Sequence, residues 1–424
     1  MNPFRRKDDA VDADDTELLL AATTVLHPGG HYSPGWLRTR GDRIVAGGAG
    51  LPDGTPDHDF AGCVLAPGFV DMHVHGGGGG AYTSGDVGEV HAVADFHRRH
   101  GTTTTLASLV SAAPEELERS VSLLADLVDD GVLAGIHLEG PWLSASRGGA
   151  HDRAQLRPPD PGEVDQLLRL GRGAVRMVTL APELDGAMAA IGRIVGAGAV
   201  AAIGHTDASY DTTREAIAAG ARVGTHLFNG MRPLHHREPG PVMALLEDPA
   251  VTVEVVADGV HLHPRLVSWV RHVAGADRVA LVTDAMAAAG MPDGDYQLGS
   301  LRVHVRDRVA RLPGHHTPTD TPTGTPTDTI AGTIADTPTG TIAGSTATMD
   351  EMFRNAVVHS DLPRPDALVA ASVMTAATPA AALGLGDVGS LEAGRRADLV
   401  VLDSDLRTVG VMRAGRWVAG VGGS

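Results

Sequence analysis

Short apolar runs alternate with alanine-rich amphipathic stretches through the middle of this 424-residue chain. Residues 64–70, 102–109, 133–138, 175–180, 200–203, 221–225, 252–257 and 279–283 have the length and apolar continuity of buried strands. Residues 87–100, 114–130, 161–170 and 211–219 lie between several of them and read as helices. Eight strand candidates with helices recurring between them predict an α/β chain folded as a (β/α)8 TIM barrel, in preference to an open doubly wound sheet. The two ends read differently: both are strand-rich and punctuated by turn residues such as Asp53-Gly54. A small β-sandwich domain is therefore expected from residues 16–66 and 388–424 pairing across the chain, with the barrel spanning 67–387.

Two stretches break this pattern. Residues 1–15 are charged and lack apolar anchors, which predicts a disordered tail. Residues 312–341 repeat units such as Thr317-Pro318-Thr319-Asp320 and Thr321-Pro322-Thr323-Gly324. Many prolines and threonines with few apolar side chains favour extended chain, so this is read as a low-complexity insertion beside the last part of the barrel.

Composition narrows the partners. A formal net charge of -18 offers no basic face, so no nucleic-acid partner is expected. Lys7, in the tail, is the sole lysine, and any anionic ligand must be held by local arginine or histidine. Cys63 is the only cysteine, which rules out a disulfide within the chain and leaves a metal site to histidine and carboxylate ligands. Neither a signal-peptide core nor an apolar run of membrane-spanning length is visible, and a cytoplasmic protein with no membrane partner is expected.

The strongest motif is Pro67-Gly68-Phe69-Val70-Asp71-Met72-His73-Val74-His75-Gly76. Alternate strand residues point the same way, so His73 and His75 can project together into a barrel mouth, where two imidazoles suit a divalent metal. Four more polar residues follow apolar runs directly: Glu139, His205, His226 and Asp284. A lone one would more often be a helix cap or a satisfied polar group. A barrel gathers the ends of all its strands around one mouth, and the set converges there. A carboxylate and two or three imidazoles can hold an ion and leave a position open for water, whose pKa falls from ~15.7 toward ~7. Asp284 is placed to shuttle a proton to a departing amine.

Further segments complete an ordered set: His137-Leu138-Glu139-Gly140-Pro141-Trp142, Gly148-Gly149-Ala150-His151, Thr225-His226-Leu227-Phe228-Asn229-Gly230-Met231, Arg237-Glu238-Pro239-Gly240 and Ala257-Asp258-Gly259-Val260-His261. With the strand-end residues they resemble, in order and spacing, the N-acetylglucosamine-6-phosphate deacetylases of the amidohydrolase superfamily, over residues 17–418. The resemblance implies a metal-dependent hydrolase barrel, ligation by Glu139, His205 and His226, and Asp284 as acid/base. It also implies one or two divalent ions per subunit, zinc first with iron, manganese or cobalt as alternatives; His73 and His75 permit the second. His151 would polarise the acetyl carbonyl or contact the sugar. Asn229, Gly230, Arg237 and His261 would surround the sugar hydroxyls and the phosphate of an amino sugar phosphate. In such enzymes one of these groups can come from a neighbouring subunit, so a homodimer is expected. Two departures stand out: the Thr/Pro-rich repeat replaces a short turn before Ala343-Gly344-Ser345, and Gly230 stands where alanine is more usual.

Rival readings are weaker. Cyclic amidases generally bridge two metals with a carboxylated barrel lysine, which Lys7 in the tail cannot supply. A nucleobase deaminase shares the His-x-His and the aspartate, but Arg237 and the Glu139-Gly140-Pro141 turn favour a phosphorylated sugar. An inactive barrel scaffold would be expected to have lost ligands, and every position is filled.

Overall fold

The computed structural model describes residues 16–313 and 340–420. The predicted tail and the core of the Thr/Pro-rich repeat lie outside these residues, as do residues 421–424.

Eight parallel strands form the central sheet: Phe69–Asp71, Thr102–Leu109, Gly135–Glu139, Val175–Leu180, Val200–Ile203, Val223–Gly224, Thr252–Val255 and Val279–Leu281, neighbours in space in that order. Every residue of the second and third is buried, which explains their near-continuous apolar text. Helices return the chain between strands. Their starts are written locally: Asp86 accepts from the Glu89 amide, Asp160 from those of Gly162 and Glu163, and Ser209 from that of Thr212.

The ring closes between its first and last strands by an unusual join. The Asp71 carboxylate accepts from the Thr283 amide at 3.2 Å and from the Thr283 hydroxyl at 2.5 Å. Just above, the Asp284 amide donates to the His73 carbonyl and the His75 amide to the Ala285 carbonyl, both at 2.8 Å. Asp71 is fully buried, and that burial pushes its carboxyl up to about 7 despite the Thr283 bonds. Asp71→Ala strips a buried amide and hydroxyl of their acceptor. The expected loss is about 1–3 kcal/mol of unfolding free energy, read as a lower urea midpoint at unchanged slope; an unchanged midpoint would remove the carboxylate from the closure.

Residues 64–70 do not form one strand. His58–Pro67 belongs to a second sheet, in which it pairs antiparallel with Leu399–Leu402 and parallel with Glu17–His27. At Gly68 the chain changes sheets: its amide goes to the Asp398 carbonyl, and that of Phe69 goes to Gly101 in the barrel. This second, eight-stranded sheet joins N- and C-terminal segments. Its faces alternate with period two: Leu65, Leu399 and Val401 enter a small separate core, whereas Val64, Ala66, Val400 and Leu402 pack into the barrel's core.

A three-stranded antiparallel meander, Gly294–Leu298, Leu301–Arg306 and Val309–Arg311, follows the eighth barrel strand. The sequence reading passed over it, although Leu301-Arg302-Val303-His304-Val305-Arg306 alternates plainly. It packs Leu298, Val303, Val305 and Ala310 on Val110, Met286 and Ala288. Ser300 at its first turn donates to Asp152, tying it to the loop that carries His151. Among the described residues no helix is long and apolar enough to cross a membrane.

Candidate active site and metal centre

The strand ends deliver their polar residues to one buried spot. His205, His226 and Asp284 have φ of 46°, 29° and 47°. Left-handed backbone is rare for residues with side chains and concentrates at functional sites. Glu139 ends its own strand, and Gly140 after it has φ 85°; a Cβ there would stand 2.4 Å from the Ser111 hydroxyl oxygen. Glycine at that position keeps room for Ser111, which in turn holds His151.

Glu139 is the centre. Its Oε1 lies 3.0 Å from His205 Nε2 and 2.9 Å from His226 Nε2, and those two nitrogens are 3.0 Å apart. Its Oε2 faces the other side, 3.2 Å from His75 Nε2 and 3.5 Å from His73 Nε2, which are 3.1 Å from each other. Asp284 Oδ1 closes this second group, 3.2 Å from His75 Nε2 and 3.5 Å from His73 Nε2. One carboxylate thus serves two histidine pairs, one with each oxygen.

Hydrogen bonds on the far side of the rings decide what these nitrogens present. His205 Nδ1 lies 2.8 Å from the Arg147 carbonyl, His75 Nδ1 3.2 Å from the Ser108 carbonyl, and His73 Nδ1 3.0 Å from Glu254 Oε2. Those oxygens accept, so each Nδ1 donates, and in the neutral ring each Nε2 offers a lone pair. Lone pairs and carboxylate oxygens converging at such distances repel one another unless positive charge lies among them. Donors bound ~2.1 Å from one ion in a tetrahedron stand ~3.4 Å apart, and the spacings of 2.9 to 3.5 Å fit that demand. The ring fields say the same. Burial pushes the His73 imidazole down, yet Glu139, Glu254 and Asp284 drive it well above its ordinary value. For Glu139, burial raises the carboxyl, and His73 and His151 more than offset it, holding it well below the usual range. The donor set fits a divalent metal.

His151 belongs beside this set and not within it. Its Nε2 is 3.4 Å from Glu139 Oε2, and His151, His205 and Glu139 together have metal-site spacing. The Ser111 amide, however, donates to His151 Nδ1 at 3.3 Å, with the Ser111 hydroxyl at 3.0 Å. An accepting Nδ1 leaves the proton on Nε2, and burial pushes the imidazole down to about 4, so the ring stays neutral. A neutral Nε2–H is a donor aimed at the mouth.

The other sequence candidates divide. His261 Nδ1 donates to Asp258 Oδ2 at 2.7 Å; burial lowers this imidazole, but Asp258 and then Asp284 outweigh it and raise it. Gly230 has φ 59°, and a Cβ would stand 2.7 Å from His205 Nδ1, so the departure to glycine leaves room for that ring. The Asn229 amide donates to the His226 carbonyl at 3.1 Å, bracing the turn. Arg237 is not brought to the cluster: it lies on an exposed loop, its guanidinium 2.9 Å from His236 Nε2.

Sequence reasoning missed the groups behind the ligands. Glu254 holds His73, and His137 packs its ring 4.6 Å from that of His73 while bridging Ser108 and Thr179. A signal existed for both. His137 stands two residues before Glu139 and shares its face, and Glu254 is a lone carboxylate inside Thr252–Val255, a strand otherwise apolar toward the core.

A buried carboxylate bridging histidine pairs at the mouth of a parallel barrel defines a metal-dependent hydrolase site. Residues 64–418 match the amidohydrolase family, and the chain belongs to that family. Within it, the chain is similar to the N-acetylglucosamine-6-phosphate deacetylase of Lysinibacillus sphaericus, 32% identical over 86% of this chain and 87% of that one. It is 33% identical to the N-acetylgalactosamine-6-phosphate deacetylase of Escherichia coli O157:H7, over 88% and 93% of the two chains. The N-acetyl-D-glucosamine-6-phosphate deacetylase of Mycobacterium smegmatis, solved also as a variant in complex with N-acetyl-D-glucosamine-6-phosphate, superposes with a TM-score of 0.88 at 51% identity. That match covers 95% of this chain and 100% of the other.

Proposed function

We propose that this chain hydrolyses the acetamide of N-acetylglucosamine-6-phosphate to glucosamine-6-phosphate and acetate, a step of amino sugar catabolism. The observation that carries the reading is the double-sided Glu139, with a histidine pair at each oxygen and Asp284 and His151 beside it. The deacetylase relatives supply the substrate class.

Glu139, His205 and His226 would hold one divalent ion, and His73 and His75 with Glu139 a second. Imidazole and carboxylate donors suit zinc first, with iron, manganese or cobalt as alternatives. When bound, such an ion supplies Lewis-acid chemistry, polarising a carbonyl oxygen and acidifying water.

The chain's own residues do the rest. Burial pushes the Asp284 carboxyl up, and His73 and His75 hold it well below the usual range, so it enters the reaction ionised. It takes a proton from the attacking water and returns it to the nitrogen as the carbon–nitrogen bond breaks. His151 Nε2–H donates to the acetyl oxygen as charge grows there. His261, its imidazole raised by Asp258, offers a donor to the sugar phosphate. Arg237 binds the phosphate in a homodimer, its exposed loop presenting it to the neighbouring copy's mouth. The compartment is the cytoplasm, since the charge of a sugar phosphate confines it to where it is made.

The test is acetate release across N-acetylglucosamine, N-acetylgalactosamine and their 6-phosphates. Fastest turnover is expected on N-acetylglucosamine-6-phosphate; turnover confined to another member would replace the substrate, and none at all would overturn the reading. Arg237→Ala should raise KM for the phosphorylated sugar about 10–100-fold, the loss of one charge-assisted bond. An equal loss on unphosphorylated N-acetylglucosamine would count against phosphate contact.

A further inference from the structure

Glu254 is a fully buried carboxylate on the seventh barrel strand, and it takes no part in the reaction as derived above. Its Oε2 accepts from two directions: from His73 Nδ1 at 3.0 Å and from the main-chain amide of His226 at 3.1 Å. His73 belongs to one histidine pair and His226 to the other. Within the cluster, the two buried side-chain atoms left without a partner are Glu254 Oε1 and His226 Nδ1. One is an acceptor and the other the donor of a metal-ready ring, on residues already joined through Oε2.

A buried, uncompensated carboxylate is costly. Among the described residues no arginine is paired with Glu254; it is held by the back of the His73 ring and by the main-chain amide of His226. Its place in the fold is therefore explained by what it does to those two residues. It fixes the His73 tautomer with Nε2 toward Glu139. It also anchors the left-handed turn at His226, whose φ of 29° no side chain adopts freely.

We infer that Glu254 is a positioning residue shared by the two metal positions, tying the His73/His75 pair to the His205/His226 pair so that they load ions together. This deepens the metal-centre reading and rests on it, but it is independent of which sugar is the substrate.

The test is metal affinity in Glu254→Gln, measured on the full chain by competition with a chromophoric chelator for zinc and by the visible spectrum of the cobalt-loaded protein. Glutamine keeps the shape and offers a single acceptor oxygen where both bonds now share a charged group. Affinity is expected to weaken about 10–100-fold, the usual scale for outer partners of metal-bound histidine, with both stoichiometric equivalents affected and the cobalt bands shifted. The melting temperature of the metal-free variant should match or exceed that of the metal-free parent, because a buried charge has gone. Should glutamine prevent folding, Glu254→Asp keeps the charge and shortens the reach, and an intermediate loss of affinity is expected. Zinc affinity within about 2–3-fold of the parent with unshifted cobalt bands, in whichever variant folds, would overturn the inference. Weakening of one equivalent alone would also overturn the shared role. Wild-type acetate release is measured separately, so failure of the substrate assignment and failure of this inference are distinguishable.

Discussion

Asp284→Asn should cut turnover by about 10²–10⁴-fold, the usual worth of a positioned proton carrier, while metal content and KM stay near those of the parent. Asparagine tolerates the left-handed backbone of position 284, where φ is 47°. The main chain is also gripped on both sides: its amide donates to the His73 carbonyl and its carbonyl accepts from the Ser345 amide at 2.7 Å. The amide side chain keeps an oxygen for the His73 and His75 side of the site but cannot take a proton from water. The loss should therefore appear in kcat, and the limb of the pH profile that reports an ionised Asp284 should vanish. Turnover within tenfold of the parent would take Asp284 out of the proton path.

Glu139→Gln should be the more damaging change to the metal centre itself. The carboxylate meets histidine pairs with both oxygens, 2.9 and 3.0 Å on one side and 3.2 and 3.5 Å on the other. Glutamine can present its oxygen to one pair, and then its amino group confronts lone pairs at the other. Metal analysis should find at most one ion per chain. Acetate release should fall by at least about 10³-fold, since Lewis-acid help is worth several kcal/mol and 1.36 kcal/mol is tenfold. In the parent enzyme, a chelator should abolish activity and stoichiometric zinc should restore it; in Glu139→Gln, zinc should not. Two tightly held ions in the variant, or a parent indifferent to chelation, would remove Glu139 from its central place.

The barrel was legible because strands buried on both faces write themselves as apolar runs, and the site was legible because each run ends in a polar residue. His205, His226 and Asp284 follow their strands within three residues, so position along the chain reported position in space. What spacing cannot report is partnership across the ring. Glu254 meets His73 over a separation of 181 residues, and Ser111 meets His151 over 40. Residues 64–70 read as one strand because apolar text continues through Pro67-Gly68 while the hydrogen bonds change sheets. The meander at 294–311 has short strands of mixed exposure, and a search for buried runs passes over them. Arg237 matched a motif, yet its loop stands exposed, since a motif names a residue type and not the surface that receives it.

The Asp71–Thr283 staple has a consequence for how the molecule comes to life. It joins residues 212 apart, among the costliest loops the chain must close. Immediately above it, the same join brings the His73 and Asp284 main chains together. A refolding chain with seven strands in place would thus look nearly native by circular dichroism and still turn nothing over. Recovery of catalysis would then lag the recovery of secondary structure, because the closure that completes the ring also sets the His73 and Asp284 main chains together.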